Sequence, residues 1–169
     1  MALAGGPTNY SDYAALAQAS ISRPLVRLIQ QSAQSIASGT ATALTFGASS
    51  EDIDTNSFHD TATNTSRVTP TVAGYYEVTV TASFATGASS YTQITAAAAK
   101  NGTRAAPQDI RRPDAGTSAT NAQTTATLTA NGTTDYFEGF ASQNSSGAQN
   151  TNVSAGFQSV LEVKFLRPL

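Results

Sequence analysis

SRVTPTVAGYYEVTVTASFA, residues 66–85, is the stretch whose reading decides the fold. It opens with a short strand-like piece, Ser66–Thr69. Pro70 then interrupts, because proline has no N–H to give to a central ladder. Ala73-Gly74 supplies a turn. A long alternation follows. Tyr76, Val78, Val80, Ala82 and Phe84 point one way; Tyr75, Glu77, Thr79, Thr81 and Ser83 point the other. Successive strand side chains face opposite sides of a sheet, so the pattern predicts a half-buried antiparallel strand with one face on a core.

The rest of the chain is arranged to cover that face. LVRLIQQ from Leu25 predicts a strand with apolar residues on both faces, as in a strand covered on both sides. Thr40–Phe46 predicts another, ahead of a long polar loop over 47–65 with Ile53 and Phe58 as its anchors. Tyr91–Lys100 alternates weakly and ends at Asn101-Gly102, a strong hairpin signal. Arg104–Pro113 has two prolines and reads as an irregular edge. Ala122–Ala130 predicts a strand, with Asn131-Gly132 as a second hairpin turn into Asp135–Gln143. Asn144–Asn152 reads as a polar loop. Gly156–Leu166 closes the chain, with Phe157, Leu161, Val163 and Phe165 on one face and Val160, Glu162 and Lys164 on the other. Eight or nine short strands at regular spacing suit an all-β sandwich or jelly roll. The predicted core is Phe46, Tyr76, Val78, Val80, Phe84, Leu128, Phe137, Phe157, Leu161, Val163 and Phe165.

Composition limits the function. The 169 residues suit one domain, 25–169, with a short extension, 1–24. Charged residues make up 12% of the chain, half of the usual share of about a quarter. Seven Phe and six Tyr within periodic runs argue for order, around a core rich in small side chains. Such a core buries less apolar area per residue, and association of subunits adds area, so an oligomer is expected. Net charge is −2, and Lys100 and Lys164 are the only lysines. Arg111-Arg112 stands beside Pro113 without aromatic interleaving. A phosphate-binding surface needs many cations, so nucleic-acid binding is excluded as the main activity. Without cysteine there are no disulfides or thiolate sites. No run approaches the ~20 apolar residues of a membrane helix. The Asn-x-Thr matches at Asn101 and Asn131 read as turns.

Residues 1–24 read as an arm, not a secretory leader: Gly5-Gly6-Pro7, then a short helix over Asp12–Ala19 capped by Ser11, ended by Pro24. Pro7, Tyr10, Tyr13 and Leu16 are its candidate anchoring residues.

No catalytic, cofactor-binding or metal-binding residue is assigned. His59, the only histidine, stands near Glu51, Asp52, Asp54 and Asp60, but the spacing matches no calcium loop. There is no Gly-x-Ser-x-Gly elbow. Glu77, Glu138 and Glu162 rise from apolar strands; a glycosidase pair among them is the weakest reading, because sequence does not give their separation.

The order of features resembles the globular domain of the C1q/tumour-necrosis-factor superfamily. Phe46, the loop through Phe58, Gly74-Tyr75-Tyr76-Glu77-Val78 and Phe157-Gln158-Ser159-Val160 take the places of that family's early Phe strand, polar loop, Gly-x-Tyr strand and closing strand. Val78 stands where an aromatic is usual, and Ser159 where a glycine is usual. No collagen-like Gly-x-y repeat is present, so the chain differs from a standard animal C1q protein. The resemblance, over about residues 25–167, implies a jelly roll that assembles as a homotrimer with one sheet towards the three-fold axis. Tyr75, Val160, Glu162 and Lys164 are the candidate interface residues.

The whole sequence, with LTFGASSEDIDTNSFHD, the 66–85 stretch and KNGT, resembles C1q-like virion proteins of tailed bacteriophages. That implies a capsid decoration protein on the virion exterior, bound to the major capsid protein through residues 1–24. The alternative is a tail-associated knob that binds a receptor or cell-surface glycan through loops 47–65, 113–121 and 144–152.

Overall fold

The computed structural model describes residues 23–85, 93–111 and 120–169. The arm up to residue 22, with its expected helix and Pro7, Tyr10, Tyr13 and Leu16, lies outside the described residues, as does most of the 113–121 loop.

Twelve strands and no helix make up the described residues. They are β1 (Leu25–Ile29), β2 (Ser35–Ile36), β3 (Thr42–Ala43), β4 (Glu51–Asp54), β5 (Arg67–Val68) and β6 (Gly74–Phe84), followed by β7 (Ile94–Lys100), β8 (Thr103–Arg111), β9 (Thr120–Ala130), β10 (Phe137–Gln143), β11 (Gln149–Asn150) and β12 (Val160–Arg167). A front sheet runs β4-β1-β12-β6-β9. A back sheet runs β3-β10-β7-β8, with β5 also on β10, and β2 pairs with β11. Every ladder is antiparallel. The two sheets form a jelly-roll sandwich. The count exceeds eight or nine because β2 and β11 are two-residue rungs, too short to leave a periodic trace, and β4 lies inside the expected 47–65 loop.

β6 is an inner strand of the front sheet, between β12 and β9. Tyr76, Val78, Val80, Ala82 and Phe84 are fully buried, as the alternation requires. Tyr76 packs on Phe137 (centroids 5.5 Å apart) and on Phe165 (5.3 Å), and its hydroxyl donates to the Val72 carbonyl at 2.7 Å. Burial pushes its pKa up to about 12. Gly74 is dictated by packing: a Cβ there would stand 2.4 Å from Phe165 Cε2 and 2.7 Å from the Arg167 carbonyl oxygen, where β12 bulges. Phe46, Phe137, Leu161 and Val163 are buried in the same core, and Leu128 and Phe165 pack partly buried against it.

Phe157, expected inside, is 53% exposed. It sits in a turn closed by its own N–H on the Ser154 carbonyl (2.9 Å), before β12 begins. The buried place there goes to Ser159, whose hydroxyl oxygen accepts from the Ser83 N–H at 3.0 Å.

Other expectations need correction. Thr40–Phe46 is not one continuous strand: the Leu44 N–H donates to Gly139 on the back sheet, and the Phe46 N–H donates to Thr65. Inside the 47–65 loop lies β4, an edge strand on β1. Glu51, Asp52 and Ile53 are all exposed, so it has no buried face for a binary pattern to mark. Arg104–Pro113 does hold an irregular edge: β8 ends the back sheet, and its register slips opposite Ala97–Ala99. Asn101-Gly102 does make the β7–β8 hairpin, with φ of 52° and 76°. Asn131-Gly132 does not make a hairpin: it starts the crossing from β9 in the front sheet to β10 in the back. The Asn131 amide oxygen accepts from the N–H groups of Thr133, Thr134 and Asp135 at 2.9, 2.9 and 3.1 Å, turning the chain.

The end where β1 starts is the base. Pro24, Thr55, Gly74, Tyr136 and Arg167 lie there. At the opposite apex, Ile29 and Gln30 meet Ser50 and Ser159, and Phe84 meets Thr151.

Candidate assembly face

Because strand side chains alternate, burying Val26, Leu28, Leu161, Val163, Tyr76 and Val78 turns their neighbours outward. The front sheet's outer face is therefore set by register. Ile29, Val160, Thr81 and Gln123 form one row across β1, β12, β6 and β9. Arg27, Glu162, Thr79 and Thr125 form the next. Leu25, Lys164, Glu77 and Thr127 form a third, and Arg167, Tyr75 and Thr129 lie nearest the base. All four candidate interface residues, Tyr75, Val160, Glu162 and Lys164, lie on this one face.

One edge of the face is a chain of alternating charges. Arg27 Nη1 lies 3.4 Å from Asp52 Oδ2, and its Nε lies 3.8 Å from Glu162 Oε2. Lys164 Nζ holds Glu162 Oε1 and reaches Glu77 Oε1 at 3.8 Å. The hydrogen bond to Glu162, then its charge, holds the Lys164 ammonium above the usual lysine range. The other edge is hydroxyl-rich. The Thr79 and Thr125 hydroxyls bond at 2.9 Å, and Gln123 Nε2 donates to Thr81 Oγ1 at 2.9 Å. Towards the base, the Arg167 guanidinium lies 4.0 Å over the Tyr75 ring.

The charged side chains are 24–47% exposed, neither buried in the monomer nor free in water. Arg27 Nε is shielded from solvent but has no hydrogen-bond partner, since 3.8 Å is ion-pair range only. Sequence reading missed Arg27, Asp52, Glu77 and Arg167 here. A charge between two apolar residues in β1 was the available signal for Arg27, but which charges meet depends on strand pairing.

The other weighed residues have local roles. The His59 side chain is sealed from solvent, with Nδ1 3.3 Å from Glu51 Oε1 and Nε2 3.2 Å from the Thr65 carbonyl. Asp54 accepts from the His59 N–H at 2.9 Å. Asp60 accepts from the N–H groups of Ala62 and Thr63, which with those bonds holds its carboxyl below the usual range. Asp52 faces Arg27. Glu138, on the back sheet, is held by the Ser66 hydroxyl at 2.8 Å and by Arg67 at 3.7 Å, apart from Glu77 and Glu162 on the front sheet. The three glutamates do not converge. The 47–65 loop divides too: β4 carries the chain from apex to base, so residues 55–65 lie at the end opposite 144–152.

No protein-family model and no curated protein matches the sequence. Solved structures do. The chain is similar to the structure of Eiger TNF from S. frugiperda, with a TM-score of 0.61 and 12% identity, over 87% of this chain and 94% of that one. It is similar to the crystal structure of murine APRIL at pH 5.0, with a TM-score of 0.60 and 12% identity, over 86% of this chain and 100% of that one. At such identity the likeness establishes the fold: the chain is a TNF-like jelly roll.

Proposed function

We propose that this chain is a non-enzymatic virion structural protein, a homotrimeric capsid decoration protein on the particle exterior, held to the major capsid protein by residues 1–24. The trimer packs through the front sheet's outer face. The observation that carries this reading is that face itself, with half-exposed, charge-matched residues along one edge, hydroxyls along the other, and an unbonded Arg27 Nε within the charged edge. The TNF-like fold supports it, and the phage resemblance of the sequence supplies the setting. The arm enters at the base, where the Phe165 N–H donates to the Pro24 carbonyl at 2.9 Å.

Immunogold electron microscopy of the intact particle tests the location. Regular label over the head is expected, and label confined to the tail overturns decoration. Deleting residues 1–24 should abolish attachment and leave a folded oligomer. The second reading, a tail knob that binds a cell-surface glycan, is favoured by one observation: a cavity at the base between residues 57–71 and 133–136.

A further inference from the structure

The cavity has a volume of about 460 Å³. A second cavity, of about 440 Å³, adjoins it and shares Ser57, His59 and Asp60 with it. The two line adjoining parts of the same 57–60 segment.

The groove's walls are held in place. His59 is pinned between Glu51 and the Thr65 carbonyl. Asp60 caps the turn through Thr63. Ser57 and Asn64 hold φ of 53° and 54°, a conformation that non-glycine residues adopt only where the surroundings impose it. The Arg67 guanidinium lies 4.1 Å over the Tyr136 ring and is itself tied to Glu138. A site already organised loses less freedom on binding.

The groove's polar groups are unspent. The hydroxyls of Thr69, Thr71 and Thr133 and the amide of Asn64 have no partner among the described residues. Asp60 adds a carboxylate, an acceptor-only group able to accept hydrogen bonds from hydroxyls. Tyr136 adds an aromatic ring; Arg67 lies over one face, and the negative character of the other suits the C–H surface of a pyranose. The charges disfavour an anion: Arg67 is balanced by Glu138, and Asp60 is negative.

We propose that the groove formed by Asp60, Asn64, Thr69, Thr71, Thr133 and Tyr136 binds an uncharged saccharide. This gives the second reading above its site and ligand class, and it does not depend on the trimer.

The test is saturation-transfer NMR on the full chain with methyl glycosides of glucose, galactose, mannose and N-acetylglucosamine. N-acetylneuraminic acid and inorganic phosphate serve as charged probes. Transfer to at least one neutral glycoside is expected, with affinity falling about tenfold in Tyr136→Ala and in the Thr71→Ala/Thr133→Ala double variant. The double variant shortens only two exposed side chains, so it separates lost binding from lost folding if Tyr136→Ala unfolds. The proposal is overturned if no neutral glycoside shows transfer, if the charged probes bind better, or if the double variant binds as well as wild type. Sedimentation of the same samples reports assembly separately, so failure of one reading is not mistaken for failure of the other.

Discussion

Glu162→Gln is the sharpest probe of the front face. The change keeps the shape and removes the charge that both Arg27, at 3.8 Å, and Lys164 face. If the face meets water in the working protein, each part-exposed pair is worth about 0.2–1 kcal/mol and the change is mild. If the face is buried between copies, Arg27 and Lys164 are left short of a partner out of water, which costs about 3–5 kcal/mol per site. At about 1.4 kcal/mol per tenfold, the lower figure weakens association at least about a hundredfold. Sedimentation equilibrium over a concentration series reads this directly. The expected result is a wild-type trimer, and a variant that is folded but monomeric at concentrations where wild type is assembled. Denaturant unfolding of the variant should differ from that of the wild-type monomer, reached by dilution, by under about 1 kcal/mol. A wild-type chain that stays monomeric at every concentration, or a variant whose association is unchanged, refutes the argument that this face is the interface.

Three further predictions concern the frame. Gly74→Ala forces a methyl against Phe165 and the Arg167 backbone and should cost about 1–3 kcal/mol, lowering Tm by several degrees in calorimetry; Gly139→Ala, whose Cβ would meet only the Val80 side chain at 3.0 Å, should cost less. Equal losses would count against the packing account. Tyr76→Phe leaves the Val72 carbonyl without its donor and should cost about 1–3 kcal/mol at neutral pH. Because burial raises the Tyr76 pKa, its contribution is intact below the ordinary tyrosine value of about 10 and is lost as pH climbs towards about 12; the variant's alkaline unfolding curve should be flatter over that span. Asp135 is held below the usual carboxylate range, first by Lys100 at 2.8 Å, then by the Asn101 amide at 2.8 Å. Its contribution is therefore present above the ordinary value of about 3.9 and is lost as pH falls below it, so Asp135→Asn should unfold less steeply with acid, and a parallel urea-midpoint profile would dismiss the assignment.

What was legible in the sequence was whatever a single strand settles alone. β6 shows because one face meets the core and the other does not, and Asn101-Gly102 shows because two adjacent positive φ values need that chemistry. What was illegible depends on partners far along the chain. Asn131-Gly132 has the same dipeptide, with Gly132 at φ 75°, yet it crosses between sheets because β10 pairs with β7 and not with β9. Phe157 is in phase with Leu161, Val163 and Phe165, but phase means nothing until the strand starts, and β12 starts at Val160. At the candidate face, the outward residues of β6 and β12 could be named from alternation. The Asp52–Arg27–Glu162–Lys164–Glu77 chain could not, because it joins four strands whose order only the fold reveals. The base groove was hidden for the same reason: it joins residues 57–71 to 133–136.

The core explains why the polar face matters. Nine of the buried apolar residues are alanines, and β7 is buried on both faces because its alanines need so little cover. Gly139 lets the sheets close until its Cβ position is 3.0 Å from Val80. An alanine removes less apolar surface from water than a leucine or valine, so at about 25 cal/mol per Å² this sandwich gains less per residue than one filled with larger side chains. In the proposed trimer, area covered between subunits would make up the difference. A face of paired charges and threonines would supply such area while setting register and rejecting misaligned partners, because charge complementarity specifies more than it strengthens. Its strength must then depend on salt. The screening length falls from about 10 Å at 0.1 M to about 3 Å at 1 M, shorter than the 3.4–3.8 Å gaps of the Arg27 pairs and the Lys164–Glu77 pair. Association through this face should weaken across that range, whereas an interface built on apolar side chains would tighten or hold.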